Sequence, residues 1–285
     1  MHRNVQVFIL ILTAFILTGH TLSDQPRGVI SLSPQTHEIN LDERPRTHVY
    51  RISNLGMDPV EIEVEVLNWE QDEAGRMVVI PPEETSLDQW FIINPVRFQV
   101  PPGETRAVRF AIRPAVEMPP GEHMAMVVFQ QVGEPPPQVQ ETGQIRLTAR
   151  FRLQSAVYAT VGPVERTGEI VETALTPEGF LTRIKSTSGA HVRPRGHLQI
   201  WESAQFPGIT RARAYIGAEE QPQGLVFAGP LNERPVMSGN TRSVIHAIGE
   251  VPLPPGTYHV VVTGSMGDDT LEGVWEFELP DGNKD

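Results

Sequence analysis

The feature that most constrains this chain is a two-residue rhythm that recurs in short bursts. VEIEVEV (60–66), RAVRFAI (106–112), HMAMVVF (123–129), LTRIKST (181–187) and YHVVVTG (258–264) are short apolar-rich stretches bounded by turn residues. Successive side chains of an extended chain point to opposite faces, so such stretches read as strands. The 26 prolines and 24 glycines fall between them rather than in low-complexity tracts. Proline presets φ near −65° and glycine supplies positive φ, which suits the recurrent Pro-Pro-Gly to tight turns. No stretch carries a convincing helical period, and the expected fold class is all-β.

Three features occur twice in the same order. HVYRISNLG (48–56) is echoed by LTRIKSTSG (181–189), PPGETRAVRFAI (101–112) by VMSGNTRSVIHAI (236–248), and MPPGEHMAMVVF (118–129) by LPPGTYHVVVTG (253–264). The intervals Ile52 to Ile184, Gly103 to Gly239 and Gly121 to Gly256 are 132, 136 and 135 residues. Equal order and near-equal spacing predict two copies of one sandwich, and the strand lengths and turn spacing fit an immunoglobulin-like sandwich in each. The strip GPVERTGE (162–169) is the expected linker, giving domains at 24–163 and 164–285.

Residues 1–23 read as a secretory signal peptide. A basic MHRN precedes the apolar run VQVFILILTAFILTG, and Thr21-Leu22-Ser23 offers small residues for cleavage. An uncleaved anchor is the alternative, the run being near the lower limit for a spanning helix. No later run is long and apolar enough to span a bilayer, so no stable membrane insertion of the mature chain is expected. The chain has no cysteine, so disulfides, thiol nucleophiles and thiolate metal sites are excluded. A formal net charge of −12 opposes phosphate backbones, which sets nucleic-acid binding aside.

Catalytic and metal constellations are not found. The nine histidines form no HExxH pattern. His191 and His197 lie in HVRPRGH, where the arginines oppose a bound cation and an exposed loop is expected. Gly264-Ser265-Met266-Gly267 lacks the strand-to-helix context of a nucleophile elbow and reads as a hairpin turn. Asp268, Asp269 and Glu272 lack the spacing of a calcium loop. The expectation is a protein without cofactor, metal or enzymatic activity.

One strand stands apart by its length. In QIRLTARFRLQSAVY (144–158), Ile145, Leu147, Ala149, Phe151 and Leu153 fall on one side while Arg146, Arg150 and Arg152 fall on the other. A typical strand is about five or six residues. Periodicity alone leaves open whether the apolar side faces its own core or is offered outward.

The segment 90–132 resembles the periplasmic pilus-assembly chaperones. The likeness rests on Phe91-Ile92-Ile93-Asn94-Pro95, the Pro-Gly turn after it, Val108-Arg109 and Glu122, with VISLSPQTHEINL (29–41) and HVYRISNLG looking like the first two strands of that family's amino-terminal domain. It covers most of the first domain; the second matches in place and class. The resemblance implies periplasmic localisation, a pilin-like subunit as client and an outer-membrane usher as a further partner. It also implies that Ile145, Leu147, Ala149, Phe151 and Leu153 complete the client's sandwich by strand donation. The family's two basic anchors for the client carboxylate fall here at Thr36 or His37 and near Ser155, so His37 and Arg152 are the expected substitutes. One other class stays open on the residues themselves, a structural or adhesive surface protein built from the same sandwiches; a secreted module for a small ligand or glycan has no supporting constellation in the sequence.

Overall fold

The computed structural model describes residues 30–43, 47–72, 75–133, 150–218 and 221–280. The leader read in residues 1–23 and the strand residues Ile145, Leu147 and Ala149 lie outside them.

The first sandwich is built from β1 (Ile30–Ser33), β2 (Thr36–Asn40), β3 (His48–Asn54), β4 (Val60–Leu67), β5 (Trp69–Gln71), β6 (Met77–Val79), β7 (Phe91–Asn94), β8 (Arg97–Val100), β9 (Thr105–Ile112), β10 (Gly121–Val132) and β11 (Arg152–Val161). One sheet has the order β1-β3-β9-β7, the facing sheet β2-β11-β10-β4-β8, and β5 and β6 form a separate hairpin. Tyr50 and Ile52 of β3, Val108 and Phe110 of β9, Ile62 of β4, Val127 and Phe129 of β10 and Val157 of β11 meet in one core. Each is the inward member of a two-residue alternation, and burying each large one contributes roughly 1.5–3 kcal/mol.

The second sandwich comprises β12 (Gly168–Thr176), β13 (Gly179–Ser186), β14 (Pro194–Glu202), β15 (Leu225–Pro230), β16 (Thr241–Ala247), β17 (Gly256–Met266) and β18 (Asp269–Leu279). Its sheets run β12-β13-β16 and β15-β14-β17-β18. Strand for strand this repeats β1-β3-β9 and β8-β4-β10-β11, so Ile52 and Ile184 stand on equivalent central strands and Gly121 and Gly256 open equivalent ones. The molecule is two immunoglobulin-like sandwiches in tandem.

Where the alternation lapses into a continuous apolar run, both faces of the strand are covered. In β10, Ala125, Val127 and Phe129 enter the core. Met126 and Val128 point the other way, under Trp69 and Met77 of the β5–β6 hairpin and Met237 of the second sandwich. In β17, Val260 and Val262 face inward while Val261 packs outward with Trp201 against a segment that includes the short helix α1 (Ile209–Arg213). Gln199 donates to the Ala212 carbonyl at 3.0 Å and ties that cover down. This one-turn helix and two 3-10 turns depart from the helix-free expectation. Their apolar residues are too few to show a period; Leu87 of the 3-10 turn at 87–90 anchors it in the first core, and the apolar backs of β14 and β17 hold α1 in place.

Two histidines make the folded state acid-sensitive. Burial, aided by His48, holds His37 down at about 4, and burial alone does the same to His246. His246 Nδ1 accepts from the Asn232 amide at 2.9 Å, a bond that protonation removes. Because both folded values lie below the ordinary 6.5, the folded state prefers the neutral rings. Their stabilisation is present above pH 6.5 and drains away as pH falls from there toward 4. The thermal midpoint is expected to drop over that window, and less steeply in a His37→Phe variant, which keeps the ring and loses the titration. Midpoints measured across the same pH series check this; equal slopes in the two proteins would refute it.

Candidate functional site: a sheet edge and the joint between the sandwiches

β11 is held on one side along its whole length and on the other along half of it. Antiparallel β10 pairs with Arg152 through Val161. On the far side, parallel β2 covers only Ala156 through Thr160, with Ala156 opposite Thr36. Upstream of that register the chain leaves the sheet: after Pro34 toward the amino terminus it crosses to the facing sheet, where Ile30–Ser33 pair with β3. Among the described residues, no strand then pairs with the far side of residues 150–155. Ser155 marks the corner of this edge, its hydroxyl 3.5 Å from the Pro34 carbonyl.

Phe151 and Leu153 sit here, half-buried and packed against the edge of the first core. On the opposite face Arg150, Arg152 and Gln154 are exposed. Arg152 lies 3.8 Å from Glu65, both about half exposed, an ion pair of little energetic weight. Among the described residues, the edge thus combines backbone without a strand partner on this side, apolar side chains without full cover and a basic outer face. Such an edge can accept another polypeptide as an added strand.

His37 lies on β2 one residue from this corner, but its ring turns into the sandwich. It meets Tyr50 edge-on at 4.8 Å and Phe110 at 5.0 Å between centroids. A positive charge there is disfavoured down to about pH 4. Of the two expected anchor residues, Arg152 alone is an exposed cation.

A second constellation, absent from the sequence reading, joins the sandwiches at the other end of β10 and β11. The side chains of Glu122 and His191 are each 2% exposed. The His191 amide donates to Glu122 Oε1 at 3.0 Å, and His191 Nδ1 lies 2.8 Å from Glu122 Oε2. Arg193 Nε donates to His191 Nε2 at 3.2 Å, which places the ring proton on Nδ1, aimed at the carboxylate. Arg166 of the linker reaches Glu122 Oε2 at 3.4 Å, and the Arg166 amide donates to Asp268 Oδ2 at 2.8 Å. The Tyr158 ring packs 4.2 Å from that of His191, under the Arg193 guanidinium. Within HVRPRGH, His191, Val192 and Pro194 are therefore buried at a joint running into β14 rather than in an exposed loop, while Arg195 and His197 are exposed on β14. Gly264–Met266 belong to β17, and the hairpin turn is confined to Gly267-Asp268.

Among the described residues no group of three or more His, Asp or Glu side chains is arranged to hold a metal ion, and no helix is long and apolar enough to cross a membrane. Glu272, considered as a calcium ligand, is engaged by Arg213.

No family model matches the chain, and no curated protein matches it. Solved structures similar to it include the class 5 fimbriae chaperone CfaA, at 9% identity over 88% of this chain and 100% of that one, with a TM-score of 0.45. The Salmonella enterica SafA pilin–SafB chaperone complex aligns at 12% identity over 90% and 98%, TM-score 0.43. The E. coli chaperone DraB aligns at 14% over 89% and 98%, TM-score 0.42.

Proposed function

We propose that this protein is a periplasmic chaperone, exported through its leader, that caps pilin-like subunits by lending them the edge of β11 and the residues just before it. The observation that carries the reading is that no described strand pairs with the far side of residues 150–155, where Phe151 and Leu153 are half-buried. The motifs of residues 90–132 support the same reading through their resemblance to the chaperone family. In it, Ile145, Leu147, Ala149, Phe151 and Leu153 fill the client's groove, Arg152 is the cation nearest the client's terminus, and an outer-membrane usher receives the loaded complex. Domains at 24–163 and 164–285 belong to the same proposal.

The magnitudes suffice. Burial of four large apolar side chains contributes roughly 1.5–3 kcal/mol each, and added backbone hydrogen bonds roughly 0.5–1.5 each. The lower estimates of association cost are about 4 kcal/mol. The test is capture of a small secreted subunit as a soluble one-to-one complex from periplasm, identified by mass spectrometry. Replacing Leu147 and Phe151 together with aspartate is expected to weaken capture at least about a hundredfold, with the folded β-sheet signal in circular dichroism retained. A variant that unfolds assigns these side chains to the protein's own core and overturns donation. Fibres made of this chain alone would favour the structural or adhesive reading.

A further inference from the structure

His191 has two carboxylates near its ring and bonds to one of them. Nδ1 lies 2.8 Å from Glu122 Oε2, and Nε2 accepts from Arg193 Nε at 3.2 Å. Glu38 of β2 stands beside the second contact. Its Oε1 is 3.7 Å from His191 Nε2 and 3.9 Å from Arg193 Nε, just beyond hydrogen-bond length for each. The Glu38 side chain is 45% exposed, so it can close the gap without disturbing a core, whereas His191 and Glu122 are almost sealed from water. A cavity of about 100 Å³ lined by Glu38, Arg166, His191, Arg193, Arg195 and Asp268 gives Glu38 and Arg193 room to rearrange.

The charges around the ring favour a second proton on it. β2 brings Glu38, β10 brings Glu122 and the linker brings Arg166, whose amide is held by Asp268. Arg193 and Arg195 follow His191 in the chain, and Arg195 is paired with Glu233. Tyr158 of β11 packs on the ring as a neutral phenol, burial holding it up at about 12. What remains is three carboxylates, Glu38, Glu122 and Asp268, facing two guanidiniums, Arg166 and Arg193. A positive imidazole balances that set.

We infer that His191 is an acid-operated latch between the sandwiches: when its ring takes a second proton, Nε2 stops accepting from Arg193 and donates instead to Glu38. A protonated Nε2 has no lone pair to offer, so Arg193 Nε must turn to another acceptor. Glu38 Oε1, nearly equidistant from both nitrogens, serves both. Arg193 itself stays anchored, with Nη1 on the Glu233 carbonyl at 3.3 Å and the guanidinium over the Tyr158 ring. The imidazolium of the second sandwich then bridges Glu122 and Glu38, both of the first, and the joint gains a charge-assisted hydrogen bond to β2. The sign is opposite to that of His37 and His246, whose neutral rings the fold prefers. Acid weakens the sandwiches through those two and tightens the joint through this one. The latch stands whether or not the function proposed above does.

Two measurements across one pH series test it. Nitrogen–proton spectra of histidine-labelled protein report which nitrogens of His191 carry a proton, with a His191→Gln variant to assign the signals. The chain has no cysteine, so Gln99→Cys and Glu250→Cys, exposed and one in each sandwich, can carry spin labels that report the distance between the sandwiches. As pH falls, the ring is expected to pass from a proton on Nδ1 alone to protons on both nitrogens while both sandwiches stay folded. Over the same interval the share of splayed molecules in the distance distribution is expected to fall by roughly tenfold. Glu38→Ala, a change at a half-exposed side chain, is expected to keep the fold and abolish that narrowing, and Glu38→Gln, which accepts without a charge, to retain part of it. A ring that holds a single proton until the sandwiches unfold, or a neutral ring with its proton on Nε2, would overturn the inference. So would a distribution that widens or stays the same as the ring titrates, or a Glu38→Ala protein that narrows as the wild type does.

Discussion

Replacing Glu122 with alanine is expected to cost about 3–5 kcal/mol of coupling between the two sandwiches, the range for removing one member of a buried ionic cluster. The carboxylate accepts from the His191 amide, from His191 Nδ1 and from Arg166, and alanine leaves all three donors without it at a site almost closed to water. The penalty is the desolvation of what remains rather than the worth of the lost attraction. Glu122→Ala combined with His191→Leu is therefore expected to recover part of the loss, because the second change removes the orphaned ring and fills its space. In urea, the wild type should unfold with the sandwiches coupled, and Glu122→Ala should split the transition in two and speed proteolysis within residues 162–167. Coincident transitions in both proteins would show that the joint is held elsewhere, for instance by Met237 against Trp69 and Met126.

The sheets were legible because their information is local. An alternation such as RAVRFAI states which side chains face inward wherever the strand ends up, and Val108, Phe110 and Ile112 are indeed buried. The repeat was legible because turns tolerate little substitution in kind, so Pro-Gly and Gly-Asn signals kept their order and spacing in both copies. Of the long alternation 144–158, the part from Arg152 onward is strand and runs on to Val161, while Ile145, Leu147 and Ala149 lie outside the described residues.

The joint was not legible, for the opposite reason. Glu122 and His191 are 69 residues apart, and nothing near either announces the other. A histidine among arginines looks solvated until the fold sets a buried carboxylate against it. His37 misled in the same way. Its neighbours Thr36 and Glu38 face outward, and only the register of β2 on β11, which puts Val157 opposite it, turns its ring toward Tyr50. Half of the candidate site, the sheet edge at residues 150–155, follows from where β2 leaves β11. That is a fact of topology which one strand's pattern does not contain.

Gly196→Ala is expected to destabilise the second sandwich by about 3 kcal/mol, a large effect for one methyl group. Gly196 lies inside β14 with φ of +136°, a region that residues with a side chain avoid. A Cβ there would overlap the Thr263 carbonyl oxygen and stand 2.7 Å from the Gly264 Cα, on the strand paired with it. Both obstacles are backbone, so no rotamer change relieves them, and β14 and β17 would have to part in the middle of the sheet. Gly189→Ala is the control: a Cβ there meets nothing within 4 Å, and its stability is expected to stay within about 0.5 kcal/mol of the wild type. Urea midpoints of the three proteins decide the matter. Because Gly196 stands directly opposite Gly264, each glycine leaves the room that the other's backbone occupies. If the two variants proved equally stable, the close approach of β14 to β17 would not be what keeps both positions free of side chains.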